Sequence, residues 1–433
     1  MAPLSTRSTA FWPGLTLAAF ALELLLFSYL RNVAGPYVSP VLFLGASLLF
    51  TWAAYRALRA QPYDLADRPG QSLLGRWQWA LAGVLLLAAF YPRLRDIINQ
   101  YPVAVETSDV IPSIEIYLRR LQNGETVYTL IKDFGYDLSP TYLPMMWLPF
   151  LIPDSLNMDY RWLGFWVFAV GVALYARRLA ATRPDLFEGS FKLLVPILVV
   201  LPLLAGDTHI LGLSIESLVI GYYFILVAGI FSKSPVLRAI GLVLCLLSRF
   251  SLVFWAPFYL LLIYRHEGRK AALWVAALVL VGILGLYVIP FLSADWSSFL
   301  KGQGYYTAAA LGEWESNLNE QGLPNQLYRG LGLAALYYHY LPGELLDRLN
   351  VLRLSHLLAS VGSVAVVVLV YWLRRHRLRL DYRYLALLAL KLNLTLFYAF
   401  IQVPYDNLLL LVIFLSAWVI LCLRRPAETP AAN

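Results

Sequence analysis

The sequence predicts an all-α, polytopic transmembrane helical bundle, and three observations carry that expectation. Of 433 residues, 60% are hydrophobic and 14% charged, whereas a soluble domain carries roughly 25% charged residues. Apolar runs at 11–30, 41–58, 79–90, 271–292, 357–373 and 408–423 include several near the about 20 residues that cross a hydrocarbon core of about 30 Å. These runs are continuous rather than alternating, so helices, which satisfy their own backbone hydrogen bonds in lipid, are expected rather than a β-barrel.

The net charge of +8 is clustered in short loops rather than spread over a face. Arg56, Arg59, Arg68 and Arg76 form one cluster, and Arg265, His266, Arg269 and Lys270 another. Arg374, Arg375, Arg377 and Arg379 form a third, and Arg424 and Arg425 close the series. Basic loops beside apolar spans mark the cytoplasmic side of a membrane, so this charge excludes nucleic acid as a partner and makes membrane lipid one. Cys245 and Cys422 fall inside apolar runs, which leaves neither a disulfide framework nor a zinc spacing.

Taken in chain order, the run at 11–30 is too long for a signal-peptide core and lacks a small-residue cleavage pattern after it, so a retained first span is expected. With the N-terminus inside, spans near 11–31, 38–58 and 78–95 deliver the chain outside, where 96–140 forms a long polar loop. Read back from Arg424 and Arg425, spans at 405–423, 384–401 and 355–373 make 293–354 a second large external loop, entered by the span at 271–292. Between the two loops lie candidate segments near 140–156, 160–177, 190–205, 210–231, 236–248 and 250–264. Parity requires one of them not to cross. Pro140, Pro144, Pro149 and Pro153 single out 140–156 as broken or half-inserted, a state tolerated where protein or a water-filled cavity covers the backbone. The expectation is about 12 to 13 spans and no internal repeat.

Candidate chemistry collects in the external loops. Glu106 and Asp109 are three residues apart, close enough to face one cavity in a helix or tight turn, where a carboxylate can take a proton from an attacking hydroxyl. Two solvated loop acids would have the same spacing. The stretch after Asp109 carries Ile114, Ile116, Tyr117, Leu118 and Leu121 in the pattern of a helix lying on the interface. Arg249 stands in an apolar stretch, where a cation costs at least about 2.5 kcal/mol at a helix centre. Phosphate binding would account for it, as would snorkelling or pairing with an acid. Asp207 and His209 have the chemistry of metal ligands but lack a third, so no metal or other cofactor is expected. Arg329 can fork onto a phosphate or simply face water. Glu313, Glu315 and Glu320 read as solvated loop acids, and Trp314 as an interface anchor or a sugar-stacking platform. Tyr405 and Asp406 would face the same external cavity.

Several of these positions together resemble the GT-C superfamily of integral membrane glycosyltransferases. Asp109, then an amphipathic helix, then Gly124 and Tyr128 resemble the first external loop of those enzymes, and Ser139-Pro-Thr-Tyr142-Leu-Pro144 the entry to the next helix. Gly206-Asp-Thr-His209 falls where relatives carry a Gly-Gln turn, and Arg249 before Pro257 where they carry Lys before Pro. Asn325-Gln326 resembles a late-loop Asn-Gln motif, and Gln402-Val-Pro-Tyr-Asp406 replaces a His/Tyr pattern near the last helices. The similarity spans roughly 78–420 and is nearest to polyprenyl-phosphate-mannose-dependent mannosyltransferases and their bacterial relatives.

The resemblance implies a catalytic domain over 78–425, preceded by an extra helix pair and cytoplasmic loop over 1–77 and followed by a short tail over 426–433. It implies an inverting transfer of a mannose-like hexose from a polyprenyl-phosphate sugar to a glycan or lipid acceptor, on the external face of a bacterial inner membrane. Asp109, with Glu106, would serve as base, and Arg249 and Arg329 would hold the donor phosphate. Tyr128, Tyr142, Asp207, His209, Asn325, Gln326, Gln402, Tyr405 and Asp406 would line the substrate cavity. A transporter or flippase for lipid-linked saccharides, or a polysaccharide polymerase or ligase, remains the alternative class.

Overall fold

The computed structural model describes residues 6–61, 74–182, 184–293, 295–316, 318–320, 322–374 and 380–423. Arg68, Arg375, Arg377, Arg379, Arg424 and Arg425 therefore lie outside the described residues, as does the tail at 426–433. Among the described residues there is no strand; two isolated bridge pairs, Ile131 with Leu138 and Leu318 with Pro324, are the only extended pairings.

Helix α1 (Thr6–Leu25) continues through a π-helical turn, Leu26–Leu30, into α2 (Arg31–Ala60). The continuous helical trace conceals a bend at Gly35, whose φ of 78° is one that glycine adopts without a Cβ clash, and Pro36 follows. The expected first two spans thus form a tight hairpin. Helices α3 (Arg76–Ala88) and α4 (Tyr91–Gln100) occupy the third, and α5 (Val110–Gln122) follows Asp109. α5 buries Ile111, Ile114, Tyr117 and Leu118 and exposes Glu115 and Arg119.

The proline-rich segment at 140–156 is broken: two 3-10 turns, Pro144–Met146 and Leu148–Phe150, precede the five-residue α6 (Leu151–Ser155). Then come α7 (Arg161–Thr182), α8 (Leu186–Ala205), the short α9 (Thr208–Leu213), α10 (Glu216–Ile230) and α11 (Pro235–Leu246). Helix α12 (Trp255–Glu267) leads to α13 (Arg269–Ile283), which runs on as a π segment, Leu284–Leu292. The second expected loop, 293–354, is mostly helical. It holds α14 (Ser297–Glu315), α15 (Asn325–Arg329), α16 (Ala334–Tyr340) and the first turns of α17 (Leu345–Arg374). The chain ends in α18 (Tyr382–Ala399) and α19 (Leu410–Cys422).

Among the described residues six helices are long and apolar enough to cross a membrane: Phe11–Leu30, Val33–Ala60, Arg161–Thr182, Leu186–Ala205, Arg269–Leu292 and Leu345–Arg374. Glu216–Ile230, Pro235–Leu246 and Leu410–Cys422 are shorter apolar helices. The chain is a helical membrane protein. Side-chain contacts sort its links into two ends. At one, Arg56 lies over Trp12, Arg177 over Trp77 and Arg265 over Trp372, and Arg238 forks onto Glu267 at 2.6 and 2.7 Å. At the other, Arg31 faces Asp207, Tyr37 meets Tyr328, Arg93 reaches the Leu204 carbonyl and Arg161 reaches those of Tyr101 and Gly212. Among the described residues, twelve helical legs run between this arginine end and this loop end: α1, α2, α3, α7, α8, α10, α11, α12, α13, α17, α18 and α19. The helices α5, α6, α9 and α14 to α16 stay at the loop end, with the broken segment beside them.

The length of each leg follows from what surrounds it. α17 spans 30 residues, about 45 Å at 1.5 Å per residue, and most of its apolar surface is exposed, as suits a lipid-facing helix. α19 has only 13 residues, and every one of them is buried. Surrounded by protein, its ends need not reach the bilayer surfaces. Small residues let α7 and α10 approach closely: a Cβ on Gly171 would lie 2.7 Å from the Phe224 Cβ, and one on Gly221 2.7 Å from the Val167 carbonyl carbon. The N-terminal hairpin joins the same core through Phe20, Phe27, Phe43 and Phe50. It also supplies Glu23, which pairs with Lys391 of α18 at 2.8 Å, both side chains fully buried. Ser416 of α19 bonds to both partners, at 2.7 Å each.

Candidate functional site

The site begins where α5 begins. Asp109 is half-buried at the helix N-terminus, and its carboxylate accepts a hydrogen bond from the Tyr136 hydroxyl at 3.1 Å. The Ser113 hydroxyl donates to the Asp109 carbonyl at 2.5 Å, closing the first turn. Arg120 reaches back from the last turn to the carbonyls of Val127, Thr129 and Leu130, at 3.3, 2.6 and 3.0 Å. That clamp fixes Tyr128, whose hydroxyl accepts from the Trp147 indole at 3.3 Å. Tyr128 packs edge-on against Tyr287 and Phe291. Gly124, with φ of 71°, makes the left-handed turn between helix and loop.

Tyr142 links this carboxylate to a cation. Burial pushes its hydroxyl well above the ordinary phenol range, the charge of Asp109 pushes it further, and Arg249 opposes the shift. Tyr405 is raised by burial and then by Glu313, Tyr306, Asp109 and Tyr142. Tyr136 is pushed up to about 12 by burial and then by Asp109, and Tyr306 also to about 12, by burial and then Tyr398, with Arg249 opposing. These groups therefore lie near one another. Tyr136, Tyr306 and Tyr405 keep 48%, 39% and 41% exposure, so the phenol-rich region around Asp109, the chamber, is open rather than core. Phenols raised this far stay protonated at neutral pH and donate hydrogen bonds.

Arg249 closes the floor of the chamber, in the extended residue between α11 and the 3-10 turn Phe250–Leu252. It is not a lone cation. Its guanidinium forks onto Glu216, Nη2 to Oε2 at 2.5 Å and Nη1 to Oε1 at 3.0 Å. Asn407 donates to the same carboxylate at 2.9 Å, and the Tyr398 hydroxyl lies 3.4 Å from Nη1. Glu216 is the first residue of α10, where the helix dipole favours a negative charge.

A second cluster lies alongside. Asp406 takes His209 Nε2 at 2.9 Å and Arg329 Nε at 3.2 Å, and Arg31 Nη1 stands 4.0 Å away. Burial by itself would raise the Asp406 carboxyl. The hydrogen bond and charge of His209, then Arg329 and Arg31, outweigh that and hold it below the usual carboxylate range. Asp207 turns instead to Arg31, at 3.5 Å. Arg329 Nη2 also lies 3.0 Å from His209 Nε2. One nitrogen cannot donate to Asp406 and accept from Arg329 at once, so only one of the two contacts is a hydrogen bond in any one tautomer. Among the described residues no three His, Cys, Asp or Glu side chains gather as a metal site.

Three consecutive residues join these parts. Tyr405 faces the chamber of Asp109, Asp406 anchors His209 and Arg329, and Asn407 holds Glu216. Asn325 stands one turn before Arg329 on the same face of α15; Gln326 lies next to it, and both are half-buried. Gln402 is wall rather than lining, because its carbonyl accepts from the Trp314 indole at 3.0 Å and its residue is 8% exposed.

The protein-family models, the curated proteins and the solved structures contain no match to this chain.

Several sequence-based expectations change. Glu106 is exposed in the turn before Asp109, outside α5. Trp314 is fully buried, edge-on to Tyr338, so it neither anchors at an interface nor offers a stacking face. Glu313 belongs to the chamber, while Glu315 and Glu320 are exposed. Tyr136, Tyr306, Glu216, Asn407 and Arg31 were not singled out by the sequence. Glu216 had a usable signal: it is the sole charged residue between Thr208 and Phe231, and an acid in an apolar run has the same cost that singled out Arg249.

Proposed function

We propose that this protein is an inverting membrane glycosyltransferase of GT-C type, moving a mannose-like hexose from a polyprenyl-phosphate sugar to a glycan or lipid acceptor at the loop end. The loop end would then face the outside of the cell membrane. The observation that carries the reading is the run Tyr405–Asp406–Asn407, which ties the Asp109 chamber to both candidate phosphate-binding arginines. Chemistry at an interface needs a base and a cation near one accessible space, and the closeness of exposed phenols to Asp109, together with the exposure of Arg329, supports that reading.

In the proposed step, Asp109 takes the proton of the acceptor hydroxyl as its oxygen attacks the anomeric carbon from the face opposite the phosphate. The bond from anomeric carbon to phosphate oxygen breaks, and polyprenyl phosphate leaves with the electron pair. Tyr136 holds the Asp109 carboxylate, and the neutral phenols of Tyr142, Tyr306 and Tyr405 can donate to sugar hydroxyls. Arg329, 43% exposed in its side chain, is the readier phosphate ligand. Arg249 serves only by sharing its fork with Glu216, so its contribution is field more than contact.

Purified protein in detergent, given polyprenyl-phosphate mannose and a set of acceptors, tests the proposal. Transfer should occur and should fall sharply in Asp109→Asn. Undiminished transfer in that variant removes the base assignment. Movement of lipid-linked saccharide across vesicles without donor consumption transfers the argument to a transporter or flippase, a class in which buried pairs such as Lys391–Glu23 recur.

A further inference from the structure

A cavity of about 620 Å³ opens beside the site, between α3–α4 on one side and α7, α8 and α10 on the other. Its size falls within the range of ligand pockets, about 300 to 1,000 Å³. Its walls are hydrocarbon and aromatic, with Leu87, Phe165, Phe168, Leu203, Ile220 and Phe414 among them, and the lining holds no Lys, Arg or His. The polar side chains in it are few: Glu216 and Ser217 at the N-terminus of α10, and the rings of Tyr91, Trp162 and Trp166. Lining residues Val84, Tyr91 and Trp166 are exposed on the outer surface of the bundle, Trp166 on α7, a helix long and apolar enough to cross a membrane. The mouth therefore meets lipid, and an apolar cavity open to lipid fills with hydrocarbon rather than water.

Charge decides what kind of lipid. Inside, Glu216 presents a carboxylate already saturated by Arg249 and Asn407, so an anionic head group gains nothing by entering. At the rim stands Arg93, exposed on α4 between lining residues Tyr91 and Leu94. Its Nε donates to the Leu204 carbonyl at 3.0 Å. That bond pins the guanidinium at the mouth and leaves its two terminal nitrogens without a hydrogen-bond partner among the described residues. Tyr91 and Trp162 stack beside it, centroids 5.1 Å apart at 25°, as interfacial aromatics do at head-group level. We infer that this cavity is a resident site for one acyl chain of an anionic glycerophospholipid, tail inward and phosphate on Arg93. The chain would brace α9 and α10, whose residues Ile210, Leu211 and Ile220 line the cavity and whose neighbours His209 and Glu216 build the site.

Native mass spectrometry of the full-length protein, released from detergent in the presence of phosphatidylglycerol, phosphatidylcholine or a polyprenyl phosphate, tests this. The wild type should retain one phosphatidylglycerol in preference to phosphatidylcholine. Arg93→Gln should weaken that retention about tenfold and abolish the preference. Ala88→Phe and Ala169→Phe, which fill the cavity, should lower occupancy by any phospholipid; should either fail to fold, Arg93→Gln on the exposed rim decides the matter alone. Equal retention by the wild type and Arg93→Gln overturns the inference. So does one-for-one displacement of phosphatidylglycerol by polyprenyl phosphate, which would make the cavity a site for a lipid-linked substrate.

Discussion

Two ion pairs inside this bundle have the same chemistry and opposite surroundings. Lys391 and Glu23 are sealed where α1, α18 and α19 meet, with Ser416 bonded to both, the Val412 carbonyl on the ammonium and the Phe50 ring 4.5 Å from it. Arg249 and Glu216 lie at the floor of an accessible chamber, and the arginine keeps 17% exposure among phenols. A sealed pair with every donor met can only hold helices in register. A pair with one open side can exchange partners. Access, rather than residue type or depth, separates a structural charge from a candidate functional one.

The largest effect should come from opening the sealed pair. Lys391→Met leaves Glu23 charged and buried, at a loss of about 3 to 5 kcal/mol, to be read as a fall in the thermal or denaturant midpoint in detergent. The double variant Lys391→Met with Glu23→Leu should recover most of it, and failure to recover would mean the pair does more than cancel its own charge. Next comes the chamber. Asp109→Asn should lower transfer by about 10²-fold or more with the unfolding midpoint unchanged, the reverse of the Lys391 profile.

At the open pair the two profiles should mix. Glu216→Gln removes the charge and replaces one acceptor oxygen with an amide nitrogen that cannot accept from Arg249 or Asn407, so stability should fall by about 1 to 3 kcal/mol. Arg249, released, should then bind donor more tightly, seen as a lower KM. Unchanged KM would assign the pair to structure alone. The smallest effect concerns acid. Because the Asp406 carboxyl is held below its ordinary 3.8, its contribution to stability is complete above that pH and is lost as pH falls through the lower folded value. Asp406→Asn should flatten the acid limb of the stability profile by lowering stability in the neutral range, where the carboxylate's contribution is complete, toward its acid value.

The parts of the site legible in the sequence are those with an unusual local cost. Arg249 in an apolar run and the four prolines of 140–156 announced themselves, and the structure shows a paired cation and a broken segment there. Glu106 lies in an exposed turn rather than in α5, which starts after Asp109, so the three-residue spacing is not a helical one. Trp314 misled because its segment was read as a loop; in α14 its ring is core. Tyr136 and Tyr306 were invisible among 28 tyrosines, since nothing local distinguishes a phenol that lines a chamber from one that packs.

By itself, then, the sequence determined the solvent, the helical class and the approximate order of crossings. Those follow from hydrophobic run length and from charges that cannot enter lipid, both local properties. The tertiary structure alone decided which charges neutralise one another and which remain accessible. Glu216 and Arg249 are 33 residues apart in the chain, and Asp406 lies 197 residues from His209. Only the packing of α9, α10, α15 and the link before α19 brings such groups within hydrogen-bond reach.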